Sequence, residues 1–126
     1  MAEIKVPELY LTSSNPDYRN ECNRAFSGKV NFVRKRDLVG ALDEIGSRYP
    51  TGTAMAVDDQ PLMAEIYGGA LRSSGMKLNF YSSPLTALDA LRSGMKPDVI
   101  FSNVQMPEMN GFEFMKEVMK IYRKGG

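Results

Sequence analysis

Two adjacent carboxylates, Asp58 and Asp59, directly follow the apolar run "AMAV" (54–57). Adjacent carboxylates repel each other at close range, and a bound cation relieves that repulsion. Mg²⁺ suits such a pair because it binds through one or two carboxylates and keeps positions for water and phosphate oxygens. Asp is also a favoured residue at the start of a helix, and a helix can begin near Gln60-Pro61. The pair therefore predicts a Mg²⁺ site or, alternatively, a helix cap.

Polar groups of complementary chemistry follow three other apolar runs. Thr12 comes after "LYL" (9–11), Lys35 comes just after "VNFV" (30–33), and Asn103 follows "DVIF" (98–101) and Ser102. A hydroxyl and an ammonium group on neighbouring strand ends can contact the oxygens of a bound phosphoryl group. Taken singly, Thr12 is explained by a turn and Lys35 by a solvated surface position. Their shared position after strands favours a site that handles phosphate.

The alternation of short apolar runs with helical patterns predicts the architecture. With "KLNFY" (77–81) there are five such runs, and each is followed by a helical pattern. Strict alternation with short connections predicts parallel strands joined by right-handed crossovers, hence an α/β fold with a five-stranded parallel sheet in a three-layer α/β/α sandwich. The carboxyl ends of such strands lie at one edge of the sheet. We therefore expect the candidate groups to meet at that edge.

Helical spacing predicts the buried faces of the helices. In the third and fourth helical segments the predicted faces are formed by Leu62, Ile66, Ala70 and Leu71, and by Leu85, Leu88 and Leu91.

Composition limits the function classes. The 126 residues suit one domain, 1–126, and the balance of 16 Lys plus Arg against 15 Asp plus Glu gives no electrostatic argument for binding nucleic acid or membrane. The chain contains no His, which excludes His-based acid-base catalysis. The lone Cys22 cannot form an internal disulfide, and no apolar stretch is long enough to span a membrane. We expect a cytoplasmic protein.

These motifs together resemble the receiver domain of two-component response regulators. "AVDDQP" is similar to the acidic pair that ends the family's first strand, and "FSNVQMPEMNGFEF" to its phosphoacceptor loop, with Met106-Pro107 and Gly111 in the expected places. "PELYLTSSN" is similar to the fourth strand with its Thr or Ser, and "VNFVRK" to the fifth strand with its Lys. The resemblance covers nearly the whole chain and implies a flavodoxin-like fold.

The order of these motifs differs from that of an ordinary receiver domain. The family runs acidic pair, acceptor, Thr or Ser, Lys, whereas the acidic pair and the acceptor position come last here. The resemblance therefore implies a circular permutation. Residues 1–49 match the last two strand–helix units, 50–53 form a join, and 54–126 match the first three units. In chain numbering the sheet order becomes 4-3-5-1-2. The sequence leaves open whether the permutation is natural or engineered.

Asn103 occupies the position at which the family carries its phosphoacceptor Asp. An amide is a poor nucleophile, so Asn103 should not accept a phosphoryl group. Loss of one negative charge should also weaken Mg²⁺ binding, or abolish it. The resemblance implies Asp59 as a direct metal ligand, Asp58 through water, and the carbonyl oxygens of the Asn103 side chain and the Gln105 backbone as further ligands.

The resemblance also assigns switch residues. Thr12 and Lys35 would contact the phosphoryl group, and without it Lys35 should pair with an acidic residue. Phe32 lies where many members carry an aromatic side chain that moves inward on activation, although a plain core aromatic explains it equally well. Arg36 departs from the Pro that usually follows the Lys.

The resemblance therefore implies a receiver-type signal transduction module of a two-component phosphorelay, and we expect no catalytic residues and no enzyme. The module would act by protein–protein interaction in an unphosphorylated-like state, on a histidine kinase, a phosphorelay protein or an output domain, through a face in residues 8–49. We expect a monomer or a swapped dimer. The alternative is a small α/β phosphate- or flavin-nucleotide-binding protein, because "LTSSNPDYRN" places hydroxyls and backbone N–H groups at a helix start.

Overall fold

A computed structural model describes residues 5–124. The strands are β1 (Glu8–Ser13), β2 (Asn31–Arg34), β3 (Thr53–Val57), β4 (Lys77–Tyr81) and β5 (Val99–Asn103). The helices are α1 (Tyr18–Phe26), α2 (Leu38–Arg48), α3 (Met63–Arg72), α4 (Pro84–Arg92) and α5 (Gly111–Lys124), with a short 3₁₀ helix at Lys35–Asp37. None of the helices between residues 5 and 124 has the length and apolar character needed to cross a lipid bilayer.

All the strands form one parallel sheet in the order β2-β1-β5-β3-β4. Counted from the other side, this is the predicted order 4-3-5-1-2, so the predicted fold class is confirmed. The order is consistent with a permuted arrangement. β5 is the central strand, and every residue of it is buried.

Two apolar layers cover the sheet, one on each face. Side chains of α1, α4 and α5 pack on one face with Leu9, Leu11 and Ile100. Side chains of α2 and α3 pack on the other with Tyr10, Val99 and Phe101. The alternation along β1 and β5 follows from the two-residue period of a strand, because both faces of a central parallel strand are buried.

The buried face of α3 differs from the prediction. Met63, Tyr67 and Leu71 are buried, whereas Leu62 is 68% exposed and Ile66 38% exposed. Two apolar series with the same helical spacing start one residue apart, so spacing alone does not fix which of them faces the sheet. In α4, Leu85 is likewise exposed while Leu88 and Leu91 are buried.

The segment that joins α2 to β3 is held by backbone hydrogen bonds. The N–H of Gly52 donates to the carbonyl of Tyr49 at 2.9 Å, and the N–H of Lys77 donates to the carbonyl of Gly52 at 2.9 Å. A Cβ at Gly52 would lie 2.7 Å from Asp98 Oδ2 and 2.9 Å from Tyr49 Cβ, so a larger residue there would force a neighbour to move. The connection is therefore tied to the end of α2 and to the first residue of β4.

Candidate functional site

Strand register sets the level at which the candidate residues lie. Thr12 pairs with Asn103, and Val57 pairs with Ser102, so Asp58 follows at the level of Asn103. Because β5 lies between β1 and β3, these three residues end adjacent strands at the carboxyl edge of the sheet. Lys35 joins them from the end of β2, through a contact with Asp58.

Asp58 is a fully buried carboxylate with two polar neighbours. Its Oδ1 accepts the N–H of Gln60 at 3.0 Å, and the ammonium group of Lys35 lies 3.4 Å from its Oδ2. Burial raises the pKa of Asp58 above its ordinary value, and the Gln60 N–H and the Lys35 charge oppose that rise. Because α3 begins only at Met63, Asp58 holds the turn before the helix and does not occupy the N-cap position. The acidic partner expected for Lys35 is therefore Asp58.

Asn103 is buried and donates two contacts through its side-chain nitrogen. Nδ2 lies 2.7 Å from the backbone oxygen of Gln105 and 3.4 Å from Oδ1 of Asp59. Both acceptors lack a proton, so the nitrogen end of the amide faces them. The prediction that the carbonyl oxygen of Asn103 would face a bound cation stays a prediction. The amide nitrogen lies between two oxygens that the resemblance implies as metal ligands.

Four buried polar atoms make no hydrogen bond within residues 5–124: Thr12 Oγ1, Arg34 Nε, the Tyr67 hydroxyl and Asp58 Oδ2, although Asp58 Oδ2 is ion-paired with Lys35. Strand alternation directs Thr12 and Asp58 to the face covered by α2 and α3, where Tyr67 lies. Leaving such an atom unsatisfied costs about 1–3 kcal/mol. The buried hydroxyls of Thr12 and Tyr67 therefore reduce the stability of the fold.

Tyr67 is a part of this region that the sequence reasoning missed. Its ring packs on Phe101 with centroids 5.4 Å apart, and burial followed by the charge of Asp58 raises the pKa of its hydroxyl. The signal was present as a polar aromatic residue on the second helical series of α3, one position after Ile66.

The loop after β5 is closed by a close backbone approach and by a helix cap. A Cβ at Gly111 would meet Leu11 Cδ2 at 2.7 Å and would also overlap the backbone oxygen of Asn103. Asn110 and Glu113 exchange reciprocal hydrogen bonds, from Asn110 N–H to Glu113 Oε1 at 3.0 Å and from Glu113 N–H to Asn110 Oδ1 at 2.9 Å. This capping box fixes the start of α5 and therefore the position of the loop that contains Gln105.

Phe32 is already packed inward, with 7% of its surface exposed. It lies in the apolar layer that contains Leu11. The guanidinium group of Arg19 lies 5.2 Å from the centre of its ring. Its role as a moving aromatic remains a prediction.

The helix start after β1 offers few free N–H groups to an anion. The N–H of Asn15 donates to Ser13 Oγ at 3.0 Å, and the N–H of Asp17 donates to Asn15 Oδ1 at 3.0 Å. α1 itself begins only at Tyr18. These local bonds occupy groups that a phosphate or a flavin nucleotide would need, so they do not favour the alternative function.

The donor atoms around Asp59 are of the type that Mg²⁺ takes. Carboxylate, amide and backbone oxygens come from Asp59, Asn103 and Gln105, with Asp58 behind them. Two of these oxygens are bound to the Asn103 nitrogen, and Asp58 is paired with Lys35. In the part of the chain from 5 to 124, no three His, Cys, Asp or Glu side chains form a group that could hold a metal ion. The donor atoms fit Mg²⁺. A bound cation would compete with the Asn103 amide nitrogen for the oxygens of Asp59 and Gln105, and with Lys35 for Asp58.

Comparison with known proteins identifies the class that this fold and site define. The family described as the response regulator receiver domain matches residues 54–124, more than half of the chain. The chain belongs to the response regulator receiver domain family. Receiver domains are generally signalling modules without an enzymatic role. They typically bind Mg²⁺ at the acidic site and interact with histidine kinases or phosphotransfer proteins and with output domains.

Individual relatives include plant and bacterial proteins. The chain is 35% identical over 69 residues to "Two-component response regulator ORR5" of Oryza sativa subsp. japonica, a match covering 55% of this chain and 52% of that protein. It is 29% identical over 96 residues to "Probable histidine kinase 3" of the same rice, covering 76% of this chain and 9% of that protein. It is 32% identical over 66 residues to "Probable transcriptional regulatory protein TcrX" of Mycobacterium tuberculosis, covering 52% of this chain and 28% of that protein. The chain thus matches at most about half the length of these relatives.

Proposed function

We propose that this receiver domain is not phosphorylated at the usual position and signals by binding a partner protein in one fixed state. The observation that carries the proposal is the side chain of Asn103, whose nitrogen lies 2.7 Å from Gln105 O and 3.4 Å from Asp59 Oδ1. An acceptor must present an anionic oxygen to the phosphorus atom. Here the amide has no such oxygen, and its delocalised lone pair makes the nitrogen a poor nucleophile. The function is therefore that of a binding module and not of an enzyme.

Mg²⁺ binding should be weak. The ion would be held by Asp59 directly, by Asp58 through water, and by the carbonyl oxygens of Asn103 and Gln105. When bound it would supply positive charge at the acidic edge. To admit it, the Asn103 amide must turn and give up its two contacts, and the site has one negative charge fewer than a site with Asp. Both effects reduce affinity in the same direction.

The groups that would respond to a phosphoryl group support a fixed state. Lys35 lies 3.4 Å from Asp58 Oδ2, and Thr12 Oγ1 makes no hydrogen bond among the described residues. A phosphoryl group between them would attract Lys35 and accept a hydrogen bond from Thr12. Without an acceptor carboxylate that change has no trigger, so the domain would keep one arrangement of this edge.

A circular permutation is part of the proposal. Three observations support it: the strand order β2-β1-β5-β3-β4, the family match that begins at residue 54, and the arrival of Thr12 and Lys35 at the acidic edge from the first two strands. On this account residues 1–49 are the family's last two strand–helix units, 50–53 the join, and 54–126 the first three units within one domain.

An exposed apolar pair beside the site is suited to a partner. Leu62 and Ile66, 68% and 38% exposed, lie one helical turn apart at the start of α3, just after Asp58-Asp59. Exposed apolar groups next to a polar site are typical of protein-binding surfaces. We propose that a histidine kinase or a phosphotransfer protein contacts this pair, and that an output domain contacts the face within residues 8–49.

The experiment is a Mg²⁺ titration followed by amide NMR, on this chain and on Asn103→Asp. Because the substitution adds one carboxylate next to the ion, the variant should bind Mg²⁺ more tightly by about tenfold or more. Asn79→Asp, which adds the same charge at an exposed position on β4, is the matched control and should leave the midpoint unchanged. Equal midpoints for the native chain and Asn103→Asp would contradict the proposal.

A further inference from the structure

A second surface lies away from the acidic edge, in a groove between the end of α1 and the outer face of α5. Its volume is about 640 Å³. Phe26, Met109 and Met119 provide its apolar part, and all three pack on the layer formed by α1, α4 and α5. Methionine side chains are flexible and polarizable, and they are common at surfaces that accept helices of other proteins.

Basic residues surround this apolar part. Lys29 comes from the turn that follows α1, and Lys116, Lys120 and Arg123 come from α5. The groove also contains two carboxylates, Glu113 and Glu117, which could neutralise some of these positive charges.

Both carboxylates already interact within the chain. Glu113 accepts the N–H of Asn110 at 3.0 Å in the capping box. Glu117 lies 2.9 Å from Lys120 and 3.5 Å from Arg92. Among residues 5–124, by contrast, Lys29, Lys116 and Arg123 make no ion pair. The groove therefore combines an apolar centre with three cations that the rest of the described chain does not neutralise.

We propose that this groove binds an acidic amphipathic helix of a partner protein. The apolar face of such a helix would cover Met109, Met119 and Phe26, while its carboxylates would pair with Lys29, Lys116 and Arg123. This is the helix-in-groove mode of recognition, with opposite charges at the rim that fix orientation. A polyanion such as DNA matches less well, because the centre of the groove is formed by thioether and aromatic side chains and the net charge of the whole chain is only +1.

The groove uses none of the residues at the acidic edge. Its binding activity does not depend on Asn103, on Mg²⁺ or on a phosphoryl group, so it goes beyond the function proposed above. Failure of either proposal would leave the other standing.

The test is fluorescence anisotropy with a labelled amphipathic helix that carries leucine on one face and glutamate on the other. A matched helix with glutamine in place of glutamate controls for charge. We expect the glutamate helix to bind, and the double variant Lys29→Glu with Lys116→Glu to weaken binding by about tenfold or more. The matched double variant Arg72→Glu with Lys77→Glu, at exposed sites on α3 and β4, should change binding by less than about twofold.

Two further measurements identify what the groove recognises. Met119→Ser, checked for folding by circular dichroism, should weaken the glutamate helix because it removes apolar contact, and Asn103→Asp should not. No binding of the glutamate helix, equal losses in both double variants, equal binding of the glutamine helix, or stronger competition from duplex DNA than from the unlabelled glutamate helix would each overturn the proposal.

Discussion

The polar groups at the two ends of the parallel strands differ in how completely they are hydrogen-bonded. The strands begin at the amino edge and end at the carboxyl edge. At the amino edge, Glu8 accepts hydrogen bonds from Arg48 at 2.6 Å, from the Tyr10 hydroxyl at 2.7 Å and from the Tyr49 hydroxyl. At the carboxyl edge, Asp58 Oδ2 has only the Lys35 ammonium at 3.4 Å, and the hydroxyl of Thr12 has no partner in the described chain. The polar cluster at the amino edge is therefore fully hydrogen-bonded, whereas the cluster at the carboxyl edge is not.

The contacts at the amino edge contribute to the stability of the fold. Glu8 and its donors cap the start of β1 against the end of α2, and Asp98 adds a bond to the N–H of Thr53 at 2.9 Å at the start of β3. These contacts hold strand ends in place. The unsatisfied atoms of the carboxyl edge reduce stability, and the ligand-binding role that we propose for this edge would explain them. The amino edge therefore stabilises the fold, and the carboxyl edge contains the site for which we propose a ligand-binding role.

The largest effect is expected from Gly111→Ala. The new methyl group would overlap the backbone oxygen of Asn103 and Leu11, which forces the backbone to shift and should destabilise the fold by about 3 kcal/mol. Gly69→Ala is the control, because its Cβ would meet nothing within 4 Å and alanine suits a helix better by about 1 kcal/mol. Urea unfolding measures both. A Gly111→Ala variant as stable as the native chain would show that the loop after β5 is not closely packed.

Removal of the satisfied carboxylate comes next. Glu8→Ala leaves the Arg48, Tyr10 and Tyr49 donors without their shared acceptor, and we expect a loss of about 2 kcal/mol in the free energy of unfolding. Glu44→Ala removes only the exposed partner of Arg48 on the same helix and should cost less than about 0.5 kcal/mol. If the two variants lost equal stability, the amino-edge cluster would have no special role.

A pair of tyrosine substitutions should have effects of opposite sign. Tyr49→Phe removes a hydroxyl that donates to Glu8 and should destabilise by about 1 kcal/mol. Tyr67→Phe removes a buried hydroxyl without a partner in the described chain and should stabilise by up to about 1 kcal/mol. Thermal unfolding of the two variants compares the edges directly. The same sign for both would remove the distinction between them.

The smallest effect is a pH dependence at the amino edge. Burial acts to raise the pKa of Glu8, but hydrogen bonds from Arg48, Tyr49 and Tyr10 outweigh it and lower the pKa below its ordinary value of 4.5. Because the folded state favours the ionised carboxylate, its contribution is present above pH 4.5 and decreases as the pH falls through the lowered pKa. The stability difference between the native chain and Glu8→Ala should therefore shrink in acid. A difference independent of pH would show that the charge of Glu8 contributes nothing.

The fold was predictable because its signals are local. Alternation of apolar runs and helical patterns predicted parallel strands, and the resemblance to a permuted receiver domain implied the sheet order. The face of α3 was not predictable, since Leu62 with Ile66 and Met63 with Tyr67 have the same spacing. Only packing on the sheet selects the second pair.

The sequence was enough to predict which residues lie together at the candidate site, but not how their side chains are oriented. Residue type and position after strands were enough to bring Thr12, Lys35, Asp58 and Asn103 together. The orientation of the Asn103 amide could not be predicted, because both ends of an amide are polar. The end that faces the loop depends on the position of the Gln105 backbone oxygen. The hydroxyl of Tyr67 could not be placed without the helix face. Side-chain contacts that depend on tertiary packing therefore could not be predicted from the sequence.

The central claim is that one amide silences an otherwise assembled receiver site, and intact mass spectrometry tests it most directly. The native chain and Asn103→Asp would be incubated in parallel with Mg²⁺ and a small-molecule phosphodonor such as acetyl phosphate. We predict that Asn103→Asp gains the mass of one phosphoryl group and that the native chain gains none. A phosphoryl adduct on the native chain, or the absence of an adduct on Asn103→Asp, would contradict the account.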